Sequence, residues 1–136
     1  VRVRTTSTTS VPSGEFTKVP FDGSIFVDTD AYTFDSANHE ITVEIPGDYK
    51  IESDVLWDSD SGWSQGDETR VAIYVNGANE YQVNNPKGNT ARESKSAGAT
   101  FDLSAGDTVH VEAFQFSGSL QAIFDSSSTK LELTRQ

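Results

Sequence analysis

Apolar and polar residues alternate along most of this chain. The clearest runs span residues 40–45, 49–57 and 71–75, where every second side chain is aliphatic or aromatic except Ser53. A period of two sends successive side chains to opposite faces of a strand, so each run predicts a half-buried strand. The predicted core consists of the in-phase apolar residues of these runs and of the later ones: Val43, Ile45, Tyr49, Ile51, Val55, Val71, Ile73, Val75, Phe101, Leu103, Val109, Val111, Leu131 and Leu133.

Turn residues separate the runs. Asn76-Gly77 between two strands predicts a hairpin, because both central residues of a type I′ turn need positive φ. Short strands with turns at regular spacing are typical of an all-β sandwich or barrel. The pattern also predicts a first edge strand over 1–5 and polar loops over 58–66 and 84–98. Residues 89–97 are the only segment with room for a helical turn, and they have no apolar face.

The length predicts one domain spanning residues 1–136, because a chain of this size supports a single core. No internal repeat or linker divides it. No apolar run approaches the roughly 20 residues of a membrane helix, so the sequence predicts no membrane insertion.

The charge balance limits the classes of partner that this chain can bind. The chain carries 21 acidic and 10 basic residues, for a net charge of -11. Nucleic-acid binding needs clustered Lys and Arg, so this balance argues against nucleic acid and against anionic membranes. An acidic, lysine-poor surface also favours a halophilic source.

Catalytic constellations are missing from the sequence. It has no cysteine, which excludes disulfides, thiol catalysis and cysteine metal sites. Neither His39 nor His110 lies in a recognisable nucleophile context, and both are interpreted as surface histidines, His110 beside Glu112. We therefore predict no enzymatic activity, no catalytic residues and no cofactor.

Calcium is the one metal that the sequence leaves possible. Acidic pairs occur at Asp28 and Asp30 and again at Asp58 and Asp60, and hard cations take carboxylate oxygens. The pairs lack the spacing of an EF-hand loop. Solvated acidic loops are the simpler interpretation of all four residues.

Aromatic residues offer a possible ligand loop. Trp63, Tyr74 and Tyr81 cluster around two loops and a hairpin, and exposed aromatic rings stack on sugars. Trp63 stands in a polar loop, where ligand or interface contact competes with local packing. Phe114 and Phe116 fall out of phase with the preceding core residues, so they mark either a bulge or a patch buried against another chain.

An ordered set of motifs resembles a known family. The set is a Gly-x-Tyr step at Gly47 and Tyr49, the Asn76-Gly77 hairpin, and Leu-x-x-Gly-Asp at Leu103, Gly106 and Asp107. It resembles the globular head of the complement first-component q-subcomponent and the jelly roll of tumour necrosis factor. The likeness covers nearly the whole chain.

The variants of this domain in phage and other viral structural proteins are the closer resemblance. Those variants begin with an Arg-Val-Arg-type strand, here Arg2-Val3-Arg4, and carry a Phe-Asp step, here Phe21-Asp22. They also have a late strand like residues 109–115 followed by Ser117-Gly118. The final strand departs from the family, which commonly has aromatic residues where this chain has Lys130–Leu133.

The resemblance implies an antiparallel jelly roll of two sheets and about ten strands that assembles as a homotrimer. It implies a non-enzymatic structural or recognition module of a virus particle: a capsid decoration, spike, turret or fibre head. Its location would be the virion surface or extracellular, and its partners other virion proteins and a host glycan or receptor. A carbohydrate-binding module and a soluble tumour-necrosis-factor-like ligand are the alternatives.

The resemblance also implies a trimer interface. In the family, the first strand, the strand after the Gly-x-Tyr step and the last strand face the threefold axis. The matching outward positions here are Arg2, Arg4, Lys50, Glu52, Lys130 and Glu132. We expect these charges to cross-pair and to set the register of assembly, while apolar residues elsewhere supply most of the affinity.

Overall fold

A computed structural model describes all 136 residues as two antiparallel sheets packed face to face. The first sheet contains β1 (Arg2–Arg4), β2 (Thr9–Val11), β4 (Gly23–Phe26), β7 (Gly47–Trp57), β10 (Glu93–Leu103), β12 (Gln121–Ile123) and β13 (Lys130–Arg135). The second contains β3 (Thr17–Lys18), β5 (Tyr32–Asp35), β6 (Glu40–Val43), β8 (Glu68–Val75), β9 (Ala78–Pro86) and β11 (Thr108–Phe116). This is the all-β jelly roll that the sequence predicts.

The strand β7 organises the first sheet. Its whole length pairs with β10 on one side, and on the other side it pairs with β13 and, at Trp57, with β12. The strand β1 lies between β13 and β4, so the prediction of a first edge strand over 1–5 is wrong. In the second sheet the order is β5-β6-β11-β8-β9, and β3 also pairs with β11.

The core lies between the sheets and follows the alternation of the sequence. Eleven of the fourteen predicted core residues are buried, and the other three, Ile45, Val75 and Phe101, are partly buried against the same cluster. Phe21 and Val11 join it from segments that the alternation left unassigned. The period of two is thus sufficient to place the inward face of each long strand.

The structure has thirteen strands where the resemblance implies about ten. Short strands such as β3 and β12 account for the difference, because two or three residues carry too little alternation to be recognised. No helical turn forms over the segment 89–97 that had room for one, since β10 begins at Glu93. The long loop expected over 84–98 is reduced to the residues between β9 and β10.

The predicted Asn-Gly hairpin is confirmed. Asn76 and Gly77 have φ of 50° and 79°, and they join β8 to β9 where Val75 pairs with Ala78. The Asn76 side chain also binds Asp107, donating from Nδ2 to Oδ1 at 2.9 Å. This hydrogen bond and the Ser104 amide hold the pKa of Asp107 below its usual range. The hairpin is therefore anchored to the turn before β11.

Candidate assembly and recognition faces

The outer side of the first sheet collects the residues implied for the trimer interface. On β1, β7 and β13 the even-numbered residues point away from the core, while odd-numbered neighbours such as Ile51 and Leu131 are buried. We call the surface formed by these outward positions the charged face: Arg2, Arg4, Lys50, Glu52, Lys130 and Glu132. The structure therefore brings all six together on one side of the molecule.

Ion pairs within the chain already engage most of the charged face. Arg2 contacts Glu132 at 2.9 Å and Lys50 contacts Glu52 at 2.9 Å. The register places Glu132 directly opposite Glu52, with Lys130 opposite Asp54. Lys130 accordingly pairs with Asp54 at 3.4 Å.

The pairing differs from a simple exchange between two Lys-x-Glu strands. Lys130 on β13 pairs with Asp54, which is not among the six residues that the resemblance implies. Two carboxylates, Glu52 and Glu132, face each other across the strands. Lys50 pairs with Glu52 and Arg2 pairs with Glu132, so the face carries charges of both signs.

A shallow depression of about 290 Å³ interrupts the charged face beside β10. It lies where Gly98, which has no side chain, stands opposite Glu52. Its other walls include Ser96, whose hydroxyl donates to Asp54 Oδ1, and Lys130. Small residues therefore leave room above the carboxylates at this edge of the face.

Exposed apolar residues border the opposite edge of the charged face. Ile25 and Phe26 on β4 are 46% and 62% exposed. The strand β4 is the neighbour of β1, and Phe26 pairs with Arg2. Ile25 and Phe26 therefore give the charged face an exposed apolar margin.

Aromatic side chains occupy the outer side of the second sheet. We call this surface the aromatic face: Phe16, Tyr74, His110, Phe114 and Phe116. Phe16 packs on Phe114 with ring centroids 5.1 Å apart, and Phe16 meets Tyr74 edge-on at 6.5 Å. The strand β11 pairs with β8 without any shift of register from Val109 to Phe116.

The two late phenylalanines therefore do not mark a bulge. Phe114 and Phe116 point outward in regular register because they continue the outer positions of His110 and Glu112. The sequence left open either a bulge or a patch buried against another chain, and the regular register excludes the bulge.

The histidine of the aromatic face is more buried than the sequence predicts. His110 is 8% exposed, because its ring stacks on Tyr74 at a centroid distance of 4.7 Å. Its Nε2 lies 3.0 Å from Glu112 Oε2. Burial raises the pKa of the Tyr74 hydroxyl, and the Glu112 carboxylate raises it further. The interpretation of His110 as an exposed surface histidine is wrong, although its side of the sheet is as expected.

The predicted aromatic ligand loop does not form. Trp63 is 2% exposed and packs edge-on against Trp57 at 5.5 Å, with its indole N–H donating to the Asp58 carbonyl at 3.1 Å. Tyr74 belongs to the aromatic face, and Tyr81 lies on the edge strand β9 at 38% exposure. The expectation of Trp63 as a ligand contact is therefore wrong: the loop folds its ring inward.

A fully buried lysine explains why the loop closes over Trp63. The Lys87 side chain has no exposed surface, and its Nζ lies 5.1 Å from the centre of the Trp63 ring. It donates to the carbonyls of Asn89, at 3.0 Å, and of Ala91. The Glu93 carboxylate lies 3.5 Å away. The ammonium group thus holds the segment between β9 and β10 as a bound cation would.

Glu93 is held in its charged form at this point. Burial by itself raises its pKa, but the Lys95 side chain, the Gly88 amide and the charges of Lys95 and Lys87 outweigh that effect, so the pKa lies below its ordinary value. The Lys95 ammonium lies 2.6 Å from Glu93 Oε1. The only sequence signal for this cluster is a lysine and a glutamate in a polar segment, which by itself indicates a solvated loop.

Residues 3–130 match the C1q domain family, which covers almost the whole chain. The chain belongs to the C1q domain family. Such domains are typically non-enzymatic ligand or recognition modules. No curated protein sequence matches this C1q domain.

Solved structures with the same fold come from tumour necrosis factor relatives. The TNF Eiger from S. frugiperda superposes with a TM-score of 0.71 at 12% identity, covering 99% of this chain and 90% of that one. Murine APRIL, crystallised at pH 8.0, gives a TM-score of 0.68 at 17% identity, covering 99% and 96%. At these identities the likeness establishes the jelly roll and nothing finer.

The calcium candidates of this C1q domain serve other purposes. Asp28 accepts from the Asp30 amide in a turn, Asp58 pairs with Arg92 at 3.1 Å, and Asp60 accepts from the Gly62 amide. No three His, Cys, Asp or Glu side chains group in a way that could hold a metal ion. The structure gives the calcium expectation no support. It also contains no helix that could cross a membrane.

Proposed function

We propose that this C1q domain is a homotrimeric, non-catalytic recognition head whose charged face lies at the threefold axis. The observation that carries the proposal is the gathering of Arg2, Lys50, Glu52, Lys130 and Glu132 on one outer sheet face, with acids and bases interleaved. A face of mixed charge can meet copies of itself, whereas a face of one sign would repel them.

Charged and apolar contacts contribute differently to the proposed assembly. Ion pairs that become buried are costly to desolvate, so they add little net affinity, but breaking one partner then costs about 3–5 kcal/mol. The charges therefore set the register of the three chains. The apolar margin at Ile25 and Phe26, together with the depression at Gly98, supplies the contact area.

The mass of the assembly in solution tests this proposal. Sedimentation equilibrium should give three times the mass of one chain. Glu52→Lys removes the partner of Lys50 and places like charges around the axis, so it should shift the mass towards the monomer. Glu15→Lys makes the same charge change at an exposed position beside the aromatic face and should leave the trimer intact.

The trimer and the axial role of the charges can be contradicted by separate outcomes. A monomer in the unmodified protein overturns the trimer. A trimer that persists in Glu52→Lys overturns the axial role of the charges but leaves the oligomer standing.

The more specific part of the proposal places the domain on the surface of a virus particle, outside the cell. Its support is the ordered set of motifs resembling phage and viral variants. An antibody against the domain should label particles that sediment in a density gradient. Recovery only in the soluble secreted fraction would favour the alternative of a soluble tumour-necrosis-factor-like ligand.

A further inference from the structure

The aromatic face has one ring that nothing in the chain covers. Phe116 is 61% exposed, while Phe16 and Phe114 pack on each other and are partly buried. Gly14 lies beside this ring: an added Cβ there would be 3.5 Å from it. The ring thus stands beside a glycine and keeps an open surface.

The neighbouring ring shows what chemistry this surface accommodates. The Arg70 guanidinium lies 4.7 Å from the centre of the Phe114 ring, and its Nε donates to Glu68 Oε1 at 2.7 Å. A single cation therefore uses an aromatic ring and a carboxylate together. Phe116 pairs with Glu68 across the strands, and Arg70 contacts only the Oε1 atom of that carboxylate. No cation of this chain lies over the Phe116 ring.

The charges around the aromatic face favour a cationic partner. Lys18 and Arg70 are the cations here, and each already contacts a carboxylate, Glu40 and Glu68 respectively. Glu112 and the exposed Glu15 add two more negative charges. These carboxylates outnumber the two cations, so the aromatic face carries a local excess of negative charge that attracts a basic segment.

We propose that the aromatic face around Phe116 binds an arginine- or lysine-bearing peptide segment of a partner protein. One cationic side chain lies on the Phe116 ring and pairs with Glu68 or Glu15. Cation–ring contacts gain strength as they lose water, so the flanking Phe114 and Phe16 rings add to the effect by excluding it. Phenylalanine rings carry no polar handle, which makes this surface less suited to a sugar.

Fluorescence anisotropy with a short labelled peptide of alternating arginine and serine tests the proposal. The peptide should bind saturably and more weakly at high salt, and its glutamate–serine counterpart should not bind. Phe116→Ser should weaken binding about two- to fivefold. Glu15→Gln should weaken it too, with a loss that shrinks as salt rises.

Phe26→Ser is the matched control, because Phe26 is 62% exposed but lies on the first sheet. It should leave peptide binding unchanged. Equal weakening by both substitutions would mean that only the overall charge attracts the peptide, and the proposal would fail. If a chitin oligosaccharide competes with the peptide, and Phe116→Ser abolishes that competition, the ligand of this face is a glycan and the peptide proposal is wrong.

The same variants separate this inference from the proposed trimer. Phe116→Ser should leave the sedimentation mass unchanged, while Phe26→Ser, at the margin of the charged face, should lower it. If Phe116→Ser dissociates the assembly, the aromatic face is an interface between copies of this chain and the peptide proposal is wrong. An unmodified protein that is monomeric but still binds the peptide would refute the proposed assembly alone.

Discussion

The charged face and the Lys87 cluster use the same residue types at opposite depths. On the charged face, Lys50 and Glu52 form a 2.9 Å ion pair while about half of each side chain remains exposed. Lys87 has no exposed surface and is surrounded by two carbonyls, the Trp63 ring and Glu93. Water competes for the first pair and is excluded from the second.

This difference teaches which charges belong to the fold and which stay available to partners. A half-exposed pair contributes about 0–1 kcal/mol, so it can exchange partners when another chain approaches. A buried ammonium with several acceptors cannot be released without leaving those acceptors unsatisfied. The Lys87 cluster is therefore part of the scaffold, and the charged face is free to serve assembly.

Removing the buried ammonium should produce the largest effect. Lys87→Met keeps an unbranched side chain of similar length but leaves the carbonyls of Asn89 and Ala91 without a donor. We expect the free energy of unfolding to fall by about 3–5 kcal/mol, because one partner of a buried charge cluster is lost. Urea unfolding monitored by tryptophan fluorescence measures it. A loss below about 1 kcal/mol, within the range of a surface pair, would show that the cluster is not structural.

The contrast also explains what the sequence could predict. Only the resemblance implied that β1, β7 and β13 share one sheet face, but alternation places Lys50 and Glu52 outward as surely as it places Ile51 inward, so their direction follows from the period. The partner of Lys130 does not, because Asp54 reaches it through a register between strands far apart in the sequence. The Lys87 cluster was missed for a related reason: its burial depends on Trp63, which lies in another loop.

Acid should weaken the buried cluster through Glu93. Its pKa in the folded protein lies below the ordinary value of a glutamate, so folding favours the charged form. The resulting stability is fully present above the ordinary pKa and is lost as the pH falls through the lowered one. Thermal unfolding between neutral pH and about pH 3 should therefore show a smaller acid loss in Glu93→Gln than in the unmodified protein.

Lys95→Gln provides the second arm of this experiment. Lys95 lies 2.6 Å from Glu93, and its hydrogen bond and charge both lower the pKa of the carboxyl. Without that lysine the folded and unfolded pKa values move closer together, so the acid loss should again shrink. An acid loss equal to that of the unmodified protein in both variants would contradict a role for Glu93.

The smallest effect is expected where the same chemistry is exposed. Lys50→Met removes the ammonium from Glu52, but both side chains are about half exposed and water can solvate the remaining carboxylate. The free energy of unfolding, measured at a concentration where the protein is monomeric, should change by less than about 1 kcal/mol. Under assembling conditions the same substitution should weaken the trimer, because the Glu52 carboxylate would lose its water at the axis without a partner to compensate its charge. If Lys50→Met instead destabilised the monomer as strongly as Lys87→Met, depth would not be what separates the two charged sites, and the charged face would have to be counted as scaffold.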